Sequence, residues 1–233
     1  MACNYQGKIV TNGLVLCLDA ADKKSYPGTG TVWTDRSGNG NNGTLTNGPT
    51  FSGANGGSLN FDGTNDHVFG SIPSSNFSGP HTICCWFYRR SVTQWSALFS
   101  NNTNTYSSSI LTFINSTNSL GINQAGVNAA SVSVDLGSDH LNKWIYGVVT
   151  YGGITSGSPI NVYAYKNNSL LSSSGVLYWN MLSSSSYYVG RHYYEVTSLI
   201  LDGLIPQVTL YNRVLTPQEI QQNFNATRGR FGI

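Results

Sequence analysis

The sequence predicts an all-β fold: a two-sheet antiparallel β-sandwich with one short C-terminal helix. Three observations carry that prediction. Short runs of apolar, β-branched and aromatic residues recur along the chain, separated by turns rich in Gly, Asn and Ser. The longest run, residues 81–88, is apolar on both faces, with Ile83, Cys85 and Phe87 pointing one way and Cys84, Trp86 and Tyr88 the other. That is the pattern of a strand packed between two layers. Finally, a single helix start is specified, close to the C-terminus, at Thr216-Pro217-Gln218-Glu219.

The elements follow in order. Leu14-Val15-Leu16-Cys17-Leu18 is an early apolar strand, and residues 23–57 are dense in turn-forming Gly, Asn, Ser, Thr and Pro. Strands are expected at 58–61, 67–69, 81–88, 97–100, 110–115, 131–136, 144–151, 160–166, 176–179, 187–191 and 204–211. Within the next-to-last of these, Tyr187, Val189 and Arg191 share one face and Tyr188 and Gly190 the other, so one set is core. Trp86 and Trp144 are also assigned to the core. For the helix, Thr216 is the N-cap, Pro217 the first helical residue and Glu219 the third, a capping box. Leu215 and Ile220 form the matching hydrophobic staple, and Ile220 with Phe224 makes one apolar stripe. With no linker or internal repeat, the expected organisation is an N-terminal arm (1–9), one sandwich domain (10–226) and a C-terminal tail (227–233), both ends free to dock on a partner.

Composition narrows the function classes. The 233 residues are 39% hydrophobic and only 9% charged, and 5 Trp, 14 Tyr and 9 Phe supply enough burial to exclude a disordered chain. A net charge of +2 without clustered Lys and Arg argues against nucleic acid as a partner. No run approaches the ~20 apolar residues of a membrane span, and the first residues lack the apolar core of a secretory signal. Cys3, Cys17, Cys84 and Cys85 show no zinc-site spacing and are expected to be free thiols, two or three of them buried. A chain folded in a reducing cytoplasm but surfaced in Asn, Ser, Thr and Gly suits a virion surface reached after synthesis in a host cytoplasm.

Five segments in order carry a resemblance: Leu14–Asp19 followed by Trp33-Thr34-Asp35-Arg36-Ser37-Gly38; Ser58 to Val68 with Phe61-Asp62-Gly63; Trp144 to Gly153; Val162 to Leu170; and Gly203 to Ile220. Together they resemble the laminin-G-like jelly rolls of the concanavalin A-like lectin/glucanase superfamily. The Asn-Gly-rich turns and the ending Asn225 to Ile233 also resemble domains of tailed-phage structural proteins. The resemblance implies a concanavalin A-like sandwich. It also implies a calcium ion at one rim, for which Asp62, Asn65, Asp66 and, across the sheet, Asp202 are the candidate ligands; no other cofactor is expected.

Other constellations are weaker. Gly38-Asn39-Gly40-Asn41-Asn42-Gly43 matches a dinucleotide fingerprint in letters, but no helix follows to hold a pyrophosphate, so it reads as a turn. Asp35, Ser37 and Asn39 resemble half a calcium loop, yet Thr46 stands where the closing Glu belongs, so an Asx-type turn is expected. Retaining glycoside hydrolysis needs two carboxyls about 5 Å apart, and the only glutamates are Glu195 and Glu219, the latter a helix cap. No catalytic residues are assigned. Trp179, His192, Tyr193, Tyr194 and Glu195 form the densest aromatic and polar group, suited to stacking on and bonding to a glycan. The favoured function is a non-enzymatic phage virion structural protein, a capsid decoration or a tail or fibre appendage, docking through a rigid sandwich. The alternative is a lectin-like adhesion module for host-surface glycans, and a glycan-cleaving enzyme ranks third. Expected partners are other virion proteins or a second copy, and host-surface polysaccharide.

Overall fold

The computed structural model describes residues 4–5, 7–91, 95–101, 110–114, 118–122, 132–178, 180–181, 184–192 and 199–233. A small hairpin of β1 (Asn4–Tyr5) and β2 (Gly7–Lys8) precedes β3 (Leu14–Asp19). Short strands β4 (Val32–Trp33), β5 (Gly43–Thr46) and β6 (Thr50–Ser52) lie within the stretch expected to be turns. Then come β7 (Ser58–Asp62), β8 (His67–Ser71), β9 (His81–Arg89), β10 (Ser96–Asn101), β11 (Ile110–Ile114), β12 (Ser119–Ile122) and β13 (Ser133–Asp135). The series closes with β14 (Trp144–Tyr151), β15 (Pro159–Lys166), β16 (Ser169–Val176), β17 (Ser186–Val189), β18 (Asp202–Tyr211) and α1 (Pro217–Thr227). No described helix is long and apolar enough to cross a membrane.

Two eight-stranded antiparallel sheets result. The first runs β16-β15-β14-β9-β18-β7-β6, with β3 beside the second half of β18; the other runs β13-β12-β11-β10-β17-β8-β5-β4. Alternation along β9 explains why both its faces are apolar. Ile83, Cys85 and Phe87 enter the core between the sheets, while Cys84 and Trp86 enter a second cluster on the outer face of the first sheet. On the inner face of the other sheet, Gly43 and Gly70 leave room for the Tyr187 ring, which a Cβ at Gly70 would meet at 2.2 Å. Tyr187 thereby stacks on Phe99 and its hydroxyl donates to the Asn41 carbonyl at 3.0 Å.

The outer cluster is covered by α1 and the chain ends. The capping box forms as expected: Glu219 N–H donates to Thr216 Oγ1, and Thr216 N–H donates to Glu219 Oε2 at 2.9 Å. Ile220 and Phe224 are buried, and Phe224 stacks on Tyr165 at 4.1 Å between ring centroids. The outer face holds residues 228–233 as well, which were expected to stand outside the sandwich. Arg228–Phe231 forms a 3₁₀ turn, Phe231 packs 4.3 Å from Trp86, and Arg230 pairs with Asp19 at 3.0 Å. Val10 is pinned likewise, its N–H donating to Asn223 Oδ1 at 2.8 Å. The physical reason is that an apolar sheet face this large needs more cover than one short helix provides.

Three expectations are corrected. The strand expected at 176–179 does not form over its described residues: Val176 ends β16, Leu177 keeps backbone bonds to Gly157 and Ser158 beyond it, Tyr178 lies in a bend, and Trp179 lies outside the described residues. Trp144 is half-buried at the margin of the outer cluster instead of in the core. Cys84 and Cys85 are buried free thiols as expected, but Cys17, buried in the outer cluster, is disulfide-bonded, because cysteine pairing is set by the folded chain and spacing does not encode it. Cys3 lies outside the described residues.

Candidate functional site

The loop after β4 is built around one buried carboxylate. Asp35 accepts from the N–H groups of Cys17 and Ser37 at 2.8 Å each, from Ser37 Oγ at 2.7 Å and from Asn41 N–H at 3.0 Å. Four donors fill both its oxygens, so the loop is the expected Asx-type turn. Its side chains then reach over the free edge of β3. Asn41 Nδ2 donates to the Val15 carbonyl at 2.9 Å, and Asn39 Nδ2 to those of Leu14 and Val15 at 3.2 Å.

Beside this loop lies a cleft of about 230 Å³, lined by Asn39, Asn41, Asn76 and Asn212 together with Gly13, Leu14, Val15 and Pro73. No charged side chain lines it. Among the described residues, nothing bonds to Oδ1 of Asn39, Asn41 or Asn76, or to the side chain of Asn212. Amide groups that both donate and accept are the chemistry that matches a neutral, hydroxyl-rich ligand. The sequence reading missed this site because its asparagines come from three distant segments. The local signal was only the density of Asn in each turn.

A larger cleft, about 390 Å³, is lined by Asn225 to Arg230 and Ile233. Its arginines are engaged, Arg230 with Asp19 and the Gly57 carbonyl, Arg228 with Asn168 Oδ1 at 2.8 Å. The outer face of the second sheet carries an aromatic group, with Phe69 and Tyr188 5.2 Å apart and His67 5.9 Å from Tyr188. Burial holds His67 below the ordinary histidine range.

The calcium candidates converge in part. Asp62 and Asp202 are direct partners across β7 and β18, and Asn65 and Asp66 lie in the turn between β7 and β8. Asp66, nearly buried, accepts from the Asp62 N–H at 3.1 Å, and burial raises its pKa. Asp202 is taken by Arg90, whose Nε lies 2.7 Å from Oδ1 and whose other nitrogens donate to Asn60 Oδ1 and the Phe61 carbonyl. The guanidinium supplies the positive charge at that carboxylate. Among the described residues, no three His, Cys, Asp or Glu side chains stand together as a metal site. Of the glycan candidates, His192 is buried, its N–H donating to the Leu199 carbonyl at 3.1 Å. Trp179, Tyr193, Tyr194 and Glu195 lie outside the described residues.

Two stacked antiparallel sheets, with a polar cleft built by the loops at one margin, define a lectin-type β-sandwich. The chain belongs to the concanavalin A-like lectin/glucanases superfamily, whose laminin G model matches residues 62–221. Among curated proteins none matches the chain. Similar solved structures include Trypanosoma rangeli sialidase in complex with sialic acid, at 16% identity and TM-score 0.63 over 93% of this chain and 33% of that one. The botulinum neurotoxin serotype D binding domain is similar at 11% identity and TM-score 0.66, over 93% of this chain and 52% of that one. The chain thus spans about a third of the sialidase and about half of the toxin domain, and at these identities the likeness is one of fold.

Proposed function

We propose that this protein is a non-catalytic docking module, a rigid sandwich that mounts on a larger assembly and presents its loops outward, as a decoration or appendage protein of a tailed-phage virion. The observation that carries the non-catalytic part is where its carboxylates go. Asp19 pairs with Arg230, Asp22 with Arg36, Asp202 with Arg90, Asp139 with Lys143 and Lys166, and Glu219 with Arg213. Asp35, Asp62, Asp66 and Asp135 accept backbone N–H groups within their own turns. Every carboxylate among the described residues is thereby employed in holding the fold, and Glu195 alone lies outside them. Acid–base or nucleophilic work on a glycan needs a pair with other duties. The phage setting is supported by the resemblance of the Asn-Gly-rich turns to those of tailed-phage structural proteins. Mass spectrometry of gradient-purified particles should find the chain at fixed stoichiometry, and its absence from them would remove the virion role.

The amide-lined cleft favours a second reading, attachment to a neutral polysaccharide, which the first can accommodate. Asn212→Ala removes one lining amide whose side chain makes no bond within the described residues. Retention on a panel of neutral polysaccharides should weaken about tenfold, the scale of one lost hydrogen bond. A wild-type protein retained by no member of the panel refutes this reading.

A further inference from the structure

Sheet edges expose unpaired backbone groups, and this fold blunts nearly all of its own. The edge strands β6, β4 and β13 are 3, 2 and 3 residues long. The free edge of β3 is occupied by the loop after β4: Cys17 N–H donates to Asp35, Arg36 N–H donates to the Cys17 carbonyl, and Ser37 Oγ donates to that of Val15. One edge is treated differently. β16 has 8 residues, contains no charge and no proline, and pairs with β15 in unbroken register from Ser169↔Lys166 to Val176↔Pro159. Among the described residues, none of the usual protections against strand addition is present along it.

We propose that β16 is a self-association surface, pairing antiparallel with β16 of a second copy about a two-fold axis at Ser173. The two-residue turn at Asn167 and Asn168, both at positive φ, makes Lys166 and Ser169 a hydrogen-bonded pair. Alternation then directs the N–H and C=O groups of Leu170, Ser172, Ser174 and Val176 away from β15. These same residues carry the exposed side chains, Leu170 at 48% and Val176 at 42%. A two-fold axis at Ser173 sets Leu170 opposite Val176 of the other copy and Ser172 opposite its Ser174. Every outward amide then meets an outward carbonyl, giving about eight hydrogen bonds. The outer face gains an apolar pair at each end and serine pairs between, with no like charges opposed. Tyr178, 56% exposed, falls beside the other copy's turn at Asn167 and Asn168. The occupant is a second copy because the edge is complementary to itself.

One strand per copy is a small interface, so the dimer dissociates on dilution and gains strength where an assembly holds many copies together. Sedimentation velocity from about 1 µM to about 1 mM should show a concentration-dependent monomer–dimer equilibrium. Ser172→Lys with Ser174→Lys opposes lysines across the axis and should raise the dissociation constant roughly tenfold or more. Ser172→Lys with Ser174→Glu sets each lysine against the other copy's glutamate and should restore dimerisation. Both exchanged side chains, Ser172 and Ser174, are exposed, and circular dichroism checks that the variants fold. A monomer throughout the series overturns the proposal. So does a dimer that tolerates the double lysine variant, which would place the contact on another surface.

Discussion

His81 is the residue whose chemistry is most sharply set by its surroundings. It begins β9 fully buried, stacked on Tyr151 at 4.4 Å, with the edge of Phe77 5.8 Å away. Its Nδ1 lies 2.8 Å from the Gly79 carbonyl, which can only accept, so the neutral ring carries its proton there. Nε2 is buried with no partner among the described residues, and a second proton would place a bare charge among aromatic rings. Burial accordingly lowers the pKa to about 4. In the unfolded chain the same ring titrates near 6.5, so between these values the unfolded state binds more protons. The stability contributed is complete above pH 6.5 and is lost as pH falls toward 4, up to about 3 kcal/mol. Urea unfolding of wild type and His81→Phe at about pH 7 and about pH 4 should show a smaller acid loss in the variant, which keeps the stack without the titration. Equal losses in the two proteins would mean that His81 does not set the acid sensitivity. His67 and His140, whose pKa values burial also lowers, add to that acid loss in both proteins.

At the scale of elements, legibility in the sequence tracked how much apolar side chain each strand contributes. β9, β14 and β18 were plain because both their faces are buried, one toward each cluster. The helix was plain because a capping box and a staple are local, written in six consecutive residues from Leu215 to Ile220. β16 was invisible for the opposite reason. Ser-Leu-Leu-Ser-Ser-Ser-Gly-Val has weak strand propensity and no two-residue hydrophobic period, so only pairing with β15 makes it a strand. β4 and β5 were hidden in the Gly- and Asn-rich stretch. Gly43, which reads as a turn residue, sits in β5 because the Val68 side chain leaves no room for a Cβ there. The two misreadings share a cause: glycine marks turns in a local reading, but Gly43 and Gly175 sit in strands where the Val68 and Val132 side chains lie too close for a Cβ.

At the scale of the whole molecule, the asparagine cleft could not be read because Gly13 to Val15, Asn39, Asn41, Asn76 and Asn212 meet only after both sheets form. The same holds for the latch that joins the chain's end to the sandwich. Asp19, at the end of β3, is wholly buried, accepting from Arg230 at 3.0 and 3.2 Å and from Gln207 Nε2 at 2.9 Å. Arg230 also donates to the Gly57 carbonyl at 3.1 Å, so one guanidinium ties the 3₁₀ turn to β3 and to the approach of β7. Phe231 is thereby held against Trp86 and Trp144. A surface arginine would contribute little, but this pair is almost out of solvent, at 7% and 0% exposure. Arg230→Ala strands a carboxylate in the interior and should cost about 3–5 kcal/mol. Arg230→Ala with Asp19→Asn removes the stranded charge and should recover part of that loss. Urea denaturation of the two variants beside wild type measures both effects. A single variant within about 1 kcal/mol of wild type would show that the last residues lie on the sheet without securing it, and that the outer cluster rests on α1 alone.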